Sequence, residues 1–232
     1  MLFTIVLTGI FSYAQAVTFP SQPLTIQSPL GPTLNDPHLK AVVVYRGIQF
    51  PTTMAFLGPN DILVLEKNEG VVQRIVNGTM LPHPLLRVNA ANVAERGLLG
   101  IAVAKHNATT TYVFLYYTQA GGNKTGSDSE GIQPIGNHLY RYELINNQLV
   151  NPKLLLNLPA TPGPFHNGGV VKIGPDGNVY VVIGDLFGHR TKAQNYANGS
   201  EPDGTSGILK ITQDGEQVGQ GILGNKVPLS FY

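Results

Sequence analysis

The stretch VVKIGPDGNVYVVIGD, Val170–Asp185, contains two runs of β-branched residues separated by the turn Gly174–Gly177. Such runs on either side of a Gly-Pro-Asp-Gly turn predict an antiparallel strand pair. The glycine-rich segment PFHNGG, Pro164–Gly169, leads directly into the first strand. We therefore expect His166 to be held at the end of a sheet, where an imidazole is a candidate for proton transfer.

The same strand-turn-strand unit recurs along the chain. Met54–Val76 contains a G-P-N-D turn, Gly58–Asp61, where the later unit has G-P-D-G. Further strand pairs are predicted in Leu98–Thr118 and Ile208–Val218, and no segment shows a sustained helical period. Such recurrence is typical of a β-propeller, whose four-stranded blades take about 40–50 residues each. A β-sandwich also explains alternating strands, but it gives no reason for the turn motif to recur.

The composition of the chain excludes several classes of protein. Of its 232 residues, 42% are hydrophobic and 12% are charged, which indicates a globular protein with a sizeable core. The net charge is +1 and no basic cluster is present, so a nucleic-acid partner is not expected. Because cysteine is absent, disulfides and thiolate metal sites are impossible.

Three regions are predicted along the chain. Residues 1–16 contain an apolar run that ends in Ala14-Gln15-Ala16, the pattern of a signal-peptidase site, so we expect a signal peptide and a secreted protein, extracellular or periplasmic, with no membrane span after cleavage. A buried N-terminal strand is the alternative. Residues 17–40, rich in Pro, Ser and Thr, predict an exposed lead-in. Residues 41–232 predict a partial β-propeller domain of about four blades.

The chain ends at Tyr232 within an apolar run. An unpaired hydrophobic strand at a sheet edge favours aggregation, so a finished domain rarely ends in this way. We therefore expect the propeller domain to be truncated at its C-terminus.

Three motifs, in a fixed order, carry a resemblance to a known family. They are ERGLLGIA at Glu95–Ala102, HNGG at His166–Gly169 and IGPDGNVYVVIGD at Ile173–Asp185. With them the chain resembles the soluble quinoprotein glucose/sorbosone dehydrogenases, which include the aldose sugar dehydrogenases. The resemblance implies an all-β fold, a six-bladed propeller that binds pyrroloquinoline quinone (PQQ) and calcium. It also implies oxidation of the C1 hydroxyl of an aldose to the lactone, with electrons passed to an external acceptor.

The resemblance assigns roles to four residues. His166 matches the histidine that takes the hydroxyl proton, and Asp185 matches an aspartate that supports the site. Glu95 stands where the family usually has a glutamine near cofactor and sugar, and Asn167 is implied as a second contact with the cofactor. A carboxylate beside an anionic cofactor needs a cationic partner, for which Arg96 is the candidate.

Phe165 stands where some members of the family have an acidic residue, so the sugar specificity is expected to differ. The family motif that carries Arg and Asn would begin just after Tyr232. The basic residues that neutralise PQQ and the carbonyls that hold calcium would follow it. The resemblance therefore places most ligands of PQQ and calcium outside this chain, and we expect the fragment alone to be inactive.

The sequence is also compatible with two other functions. Relatives of the family include non-catalytic extracellular propellers that bind other proteins. A calcium-dependent lactonase is the third possibility, although its metal cage needs inward carboxylates from several blades, for which Glu95 and Asp185 are the plausible residues.

Overall fold

The structure, a computed structural model, describes residues 34–121, 128, 132–221 and 230–231. The chain divides into two units, Met1–Val43 and Val44–Tyr232. In the first unit the described residues are exposed and contain one turn, in which the Leu39 N–H donates to the Asp36 carbonyl. The predicted signal peptide, 1–16, and most of the predicted lead-in, 17–40, lie outside the described residues.

The described part of the second unit forms three antiparallel sheets, in which strands that follow one another along the chain pair with each other, with one exception in the first sheet. The strands of the first sheet are β1 (Pro51–Gly58), β2 (Asp61–Glu66), β3 (Val71–Val76), β4 (Thr79–Met80) and β5 (Leu86–Arg87), of which β5 pairs with β3. Those of the second are β6 (Leu98–Lys105), β7 (Thr111–Gln119), β8 (Gly136–Ile145) and β9 (Gln148–Leu158). Those of the third are β10 (Val171–Ile173), β11 (Val179–Ile183), β12 (Gly207–Ile211) and β13 (Ser230–Phe231).

The expected all-β fold of propeller-type sheets is confirmed, and within the described part of the chain the sheets do not close into a ring. The described strands form three sheets, and the expected count of about four blades stays a prediction for the whole chain. The first strands of these sheets begin at Pro51, Leu98 and Val171. Long connections within the second and third sheets lengthen the repeat well beyond the spacing assumed from the sequence.

The middle sheet is buried on both of its faces. Along β7, Val113 and Leu115 belong to the core between the first and second sheets, whereas Phe114 and Tyr116 belong to the core between the second and third. Successive side chains of a strand point to opposite faces, so a continuous apolar run is what a strand between two cores requires. This explains why the aromatic segment of β7 does not alternate with polar residues.

The outer faces of the first and third sheets remain exposed in the described structure. Met54 and Phe56 on β1 are 54% and 59% exposed, and Val170 and Ile208 beside the third sheet are 53% and 40% exposed. Among the described residues there is no helix with the length and apolar character needed to cross a membrane.

The connections between strands lie at two opposite ends of the sheets, because the strands are antiparallel. The β1–β2 and β3–β4 turns meet at one end, where the Asn77 N–H donates to the Asn60 carbonyl at 2.8 Å. The β5–β6, β9–β10 and β11–β12 connections lie at the other end. They contain Glu95, His166 and Asp185 respectively, so the topology brings the predicted site residues to one end of the sheets.

Candidate functional site

His166 and Asp185 form a hydrogen-bonded pair at this end of the sheets. Nδ1 of His166 lies 2.5 Å from Oδ1 of Asp185, and the two side chains are 55% and 30% exposed. The hydrogen bond from His166, together with the backbone N–H groups of Phe187 and Gly188, holds the pKa of Asp185 below its ordinary value. An ionised carboxylate only accepts, so Nδ1 donates its N–H to Asp185, and in the neutral ring the lone pair is then on Nε2. The imidazole is thus oriented and accessible, as a general base requires.

Glu95 holds the backbone of His166. Its Oε2 accepts the His166 N–H at 2.6 Å, and the Glu95 N–H donates to the Pro164 carbonyl at 3.2 Å. His166 has φ +60°, a left-handed conformation that is uncommon for residues other than glycine. At Gly184 a Cβ would lie 2.5 Å from the His166 carbonyl oxygen, so this close approach requires glycine. These contacts fix the β9–β10 connection in a conformation that it would not adopt by itself.

Lys67, in the β2–β3 connection, supports the loop that carries Glu95. Its ammonium donates to the carbonyls of Ala94 and Arg96 at 2.9 and 2.7 Å, on either side of Glu95. Burial lowers the pKa of Lys67, and the nearby charges of Asp128 and Glu95 oppose this shift. Lys67 therefore supports the loop through these hydrogen bonds, with its charge near that of Glu95. The role of Lys67 could not be predicted from the sequence, because no motif links residue 67 to residue 95.

Arg96 does not pair with Glu95, which corrects the expectation from the sequence. Arg96 is 6% exposed, and its guanidinium bonds the Asp128 carboxylate at 2.6 Å and the Ala160 carbonyl at 2.6 Å. Glu95 is exposed, so the two neighbours in the chain project in different directions. A buried guanidinium needs a carboxylate and carbonyls around it, and Asp128 and Ala160 supply them.

Asn167 is buried beneath the His166 segment, with 1% of its surface exposed. Its carbonyl accepts the Tyr116 hydroxyl at 2.8 Å, and its Oδ1 accepts Nδ2 of Asn137 at 3.0 Å. Its own Nδ2 is buried and has no hydrogen-bond partner in the described part of the chain. Asn167 therefore ties the β9–β10 connection to the second sheet, and its contact with a cofactor stays a prediction.

A second histidine–carboxylate pair lies in the β11–β12 connection and was not predicted. Nε2 of His189 lies 2.6 Å from Oδ2 of Asp203, and the His189 N–H donates to the Asp185 carbonyl at 2.7 Å. Burial raises the pKa of Asp203, but hydrogen bonds from Thr205 and His189 outweigh it and leave the pKa lowered. The two partners are separated by a segment without a motif, so the sequence carried no signal for the pair.

Two phenyl rings border His166. The rings of Phe165 and Phe187 are 5.1 Å apart, and that of Phe187 lies edge-on to the imidazole at 6.4 Å. Leu186 and Phe187 have φ +50° and +66°, each costing about 1–2 kcal/mol for a residue with a side chain. Leu186 is fully buried in the core between the second and third sheets, which contributes about 1.5–3 kcal/mol. Burial of Leu186 thus offsets the strain that turns Phe187 outward.

The site can therefore abstract a proton, and its geometry does not by itself provide a metal centre. Within residues 34–121, 128, 132–221 and 230–231, no group of three or more His, Cys, Asp or Glu side chains is placed to hold a metal ion. Of the predicted residues, Glu95 and Asp185 both hydrogen-bond His166, and Asn167 follows His166 in the chain. The structure adds Lys67 and Asp128 to this set, because both hydrogen-bond the loop that carries Glu95.

Comparison with known proteins gives consistent matches. The sequence model of the family described as Glucose / Sorbosone dehydrogenase matches residues 48–223. An uncharacterized protein of Synechocystis sp. is 27% identical over 200 residues, which cover 78% of this chain and 45% of that protein. The PQQ-bound form of aldose sugar dehydrogenase from Streptomyces coelicolor matches with 25% identity and a TM-score of 0.61, over 80% of this chain and 51% of that one.

A provisionally assigned oxidoreductase (glucose dehydrogenase) of Thermus thermophilus has a similar structure, with 25% identity and a TM-score of 0.63. The match covers 80% of this chain and 51% of that one. The chain thus spans about half the length of the relatives that it matches.

Proposed function

Because the chain belongs to the glucose/sorbosone dehydrogenase family, we propose that the protein oxidises the C1 hydroxyl of an aldose to the lactone. PQQ is the proposed hydride acceptor, and an external acceptor takes the electrons. The observation that carries the proposal is the His166–Asp185 pair, an accessible imidazole whose Nδ1 is held by a carboxylate at 2.5 Å. Since the chain spans about half of its relatives, the proposal concerns the full-length protein.

His166 acts as the general base in this proposal. Its Nε2 takes the proton of the C1 hydroxyl, which raises the electron density at C1 and weakens the bond to the hydrogen that leaves as hydride. Asp185 keeps the ring in the tautomer with the proton on Nδ1 and stabilises the imidazolium that forms. PQQ, when bound, supplies the hydride acceptor, because no side chain can take up a hydride.

The described residues fit the proton-transfer half of such a site. PQQ carries three carboxylates and needs cations, but Lys67 and Arg96 are engaged with backbone carbonyls and Asp128. We therefore assign the groups that neutralise PQQ and hold calcium to parts of the protein beyond the described residues. Glu95 is proposed to lie near the cofactor, and its carboxylate also accepts the His166 N–H.

The oriented imidazole favours catalysis over the binding-only alternative. In this site an accessible histidine is held in a left-handed conformation by one carboxylate and oriented by another. Binding of another protein does not require such an arrangement.

The test is oxidation of aldoses by the full-length protein loaded with PQQ and Ca²⁺. We expect reduction of an electron-accepting dye with D-glucose or another aldose, and one lactone formed per two electrons, identified by NMR. Omission of PQQ, or chelation of Ca²⁺, should abolish turnover. Protein that binds PQQ but oxidises no aldose in a broad panel would contradict the proposal and favour the binding function.

A further inference from the structure

The aromatic pair beside His166 is the part of the site that proton transfer does not use. Phe165 and Phe187 are 38% and 63% exposed, although their rings pack together at 5.1 Å. Both rings lie on the segments that carry the base and its carboxylate, one residue before His166 and two residues after Asp185. Ligand sites combine aromatic side chains with a few polar groups, and the two rings beside His166 and Asp185 offer this combination.

The backbone is built to present Phe187 at this position. Phe187 adopts φ +66°, and the preceding Leu186 adopts φ +50° while its side chain is fully buried. The Gly163 N–H donates to the Leu186 carbonyl at 3.1 Å, and a Cβ at Gly163 would lie 2.6 Å from the Cβ of Phe187. Backbone strain at a residue whose ring is exposed is typical of a functional site, and Phe187 combines the two.

The chemistry of the pair selects one kind of contact with a sugar. A pyranose has a rim of hydroxyls and faces formed by C–H groups, whose hydrogens carry a partial positive charge. The face of an aromatic ring is negative and attracts such hydrogens, whereas a phenyl group offers no hydrogen bond to a hydroxyl. A phenylalanine at position 165 therefore favours contact with an apolar part of the sugar, whereas an acidic residue there would favour contact with a hydroxyl.

We propose that Phe165 and Phe187 form an aromatic platform that binds the aldose through a C–H face of its pyranose ring, next to the base His166. Substrates with an uninterrupted C–H face bind well, and an axial hydroxyl on the face that meets the platform weakens binding. The proposal rests on the proposed function for the identity of the substrate. The platform determines binding and specificity and takes no part in proton transfer.

The first measurement is the kinetics of the full-length protein loaded with PQQ and Ca²⁺. Phe187→Ala and Phe165→Ala are each expected to raise the KM for D-glucose about tenfold, with kcat changed less than twofold, because uniform binding is lost. Phe187→Gly removes the ring and also relieves the left-handed strain, so it separates loss of the ring from misfolding. Phe56→Ala removes a similarly exposed phenyl ring, 59% exposed, from β1 and should leave both constants unchanged.

The second measurement does not need turnover. Methyl β-D-glucopyranoside has no free C1 hydroxyl, so it binds without being oxidised, and saturation-transfer NMR with irradiation of aromatic protons reports which sugar hydrogens meet the rings. We expect the C–H hydrogens of one ring face to receive the strongest signal in the wild type and to lose it in the Phe165→Ala, Phe187→Ala double variant.

The two readouts separate the platform from the proposed function. A wild type that oxidises no aldose but shows this NMR pattern overturns the dehydrogenase function and retains the platform. An active wild type whose KM is unchanged in both phenylalanine variants, or whose kcat alone falls, overturns the platform. If the sugar hydrogens receive the same saturation transfer in the wild type and in the double variant, the platform is overturned as well.

Discussion

The carboxylate of Glu95 accepts the backbone N–H of His166 at 2.6 Å, so the residue that the resemblance assigns to the cofactor holds the proposed base in place. Because His166 has φ +60°, its position depends on contacts from neighbouring segments rather than on its own conformational preference. Lys67 then fixes the loop that carries Glu95. The base is therefore positioned by a chain of contacts that begins in the first sheet.

Glu95→Ala should lower kcat about tenfold or more, because a charge-assisted hydrogen bond of about 1.5–3 kcal/mol to the His166 segment is lost. Glu95→Gln retains an oxygen that can accept the N–H and should keep most of the activity. The measurement is kcat together with the dissociation constant of PQQ. A matched control is Glu69→Ala, which removes an exposed carboxylate from the surface pair with Arg87. If both Glu95 variants weaken PQQ binding equally and leave kcat unchanged, the positioning role is wrong.

Asp185→Asn should lower kcat by about 10²-fold or more, because an amide neither fixes the tautomer of His166 nor stabilises the imidazolium. The same substitution at Asp203 changes a carboxylate bonded to His189 instead and should have a small effect. The pH profile of kcat distinguishes the two variants, since only the first alters the environment of the base. Equal losses in both variants would argue against a specific role for Asp185.

Lys67→Met should destabilise the fold by about 1–3 kcal/mol, because carbonyls at Ala94 and Arg96 lose their donor. Urea denaturation measures the free energy of unfolding. Lys153→Met is the control, since this lysine forms an exposed ion pair with Asp214, worth about 1 kcal/mol or less. Similar stability changes in the two variants would show that Lys67 does not anchor the loop.

Asp203 should make the stability dependent on acidic pH. Its pKa in the folded state lies below the ordinary value of 3.8, so its stabilising contribution is complete above that value. It is lost as the pH falls through the lower, folded pKa. The difference in unfolding free energy between wild type and Asp203→Asn should therefore shrink as the pH falls from about 5 toward 2. A difference that stays constant over this range would contradict the lowered pKa.

Local sequence patterns predicted the parts of the fold that depend on neighbours in the chain. The turn Gly174–Gly177 and its flanking β-branched residues correctly indicate the β10–β11 pair, because turn geometry and strand period are local properties. The spacing of the sheets was harder to predict, since the lengths of the connections vary and no local rule limits them. The turn motif therefore identified the kind of unit but not its spacing.

The sequence also predicted the residues that form the site, but not how they contact one another. His166 and Asp185 were assigned from motifs, and the structure places them in direct contact. The expected pairing of Arg96 with Glu95 was wrong, because Arg96 enters the core and bonds Asp128 instead. Contacts of that kind join segments far apart in the chain, and they depend on how the sheets pack.

The most direct test of the central claim is the rate of aldose oxidation by His166→Ala at full PQQ occupancy. The full-length wild type and variant are loaded with PQQ and Ca²⁺, the bound PQQ is quantified by its absorbance, and kcat is measured per occupied site. His106→Ala serves as the control, since His106 is stacked on Tyr112 near the β6–β7 turn. The account predicts a fall of about 10²-fold or more for His166→Ala and an unchanged rate for the control. Undiminished activity of His166→Ala at full occupancy would contradict the assignment of the base.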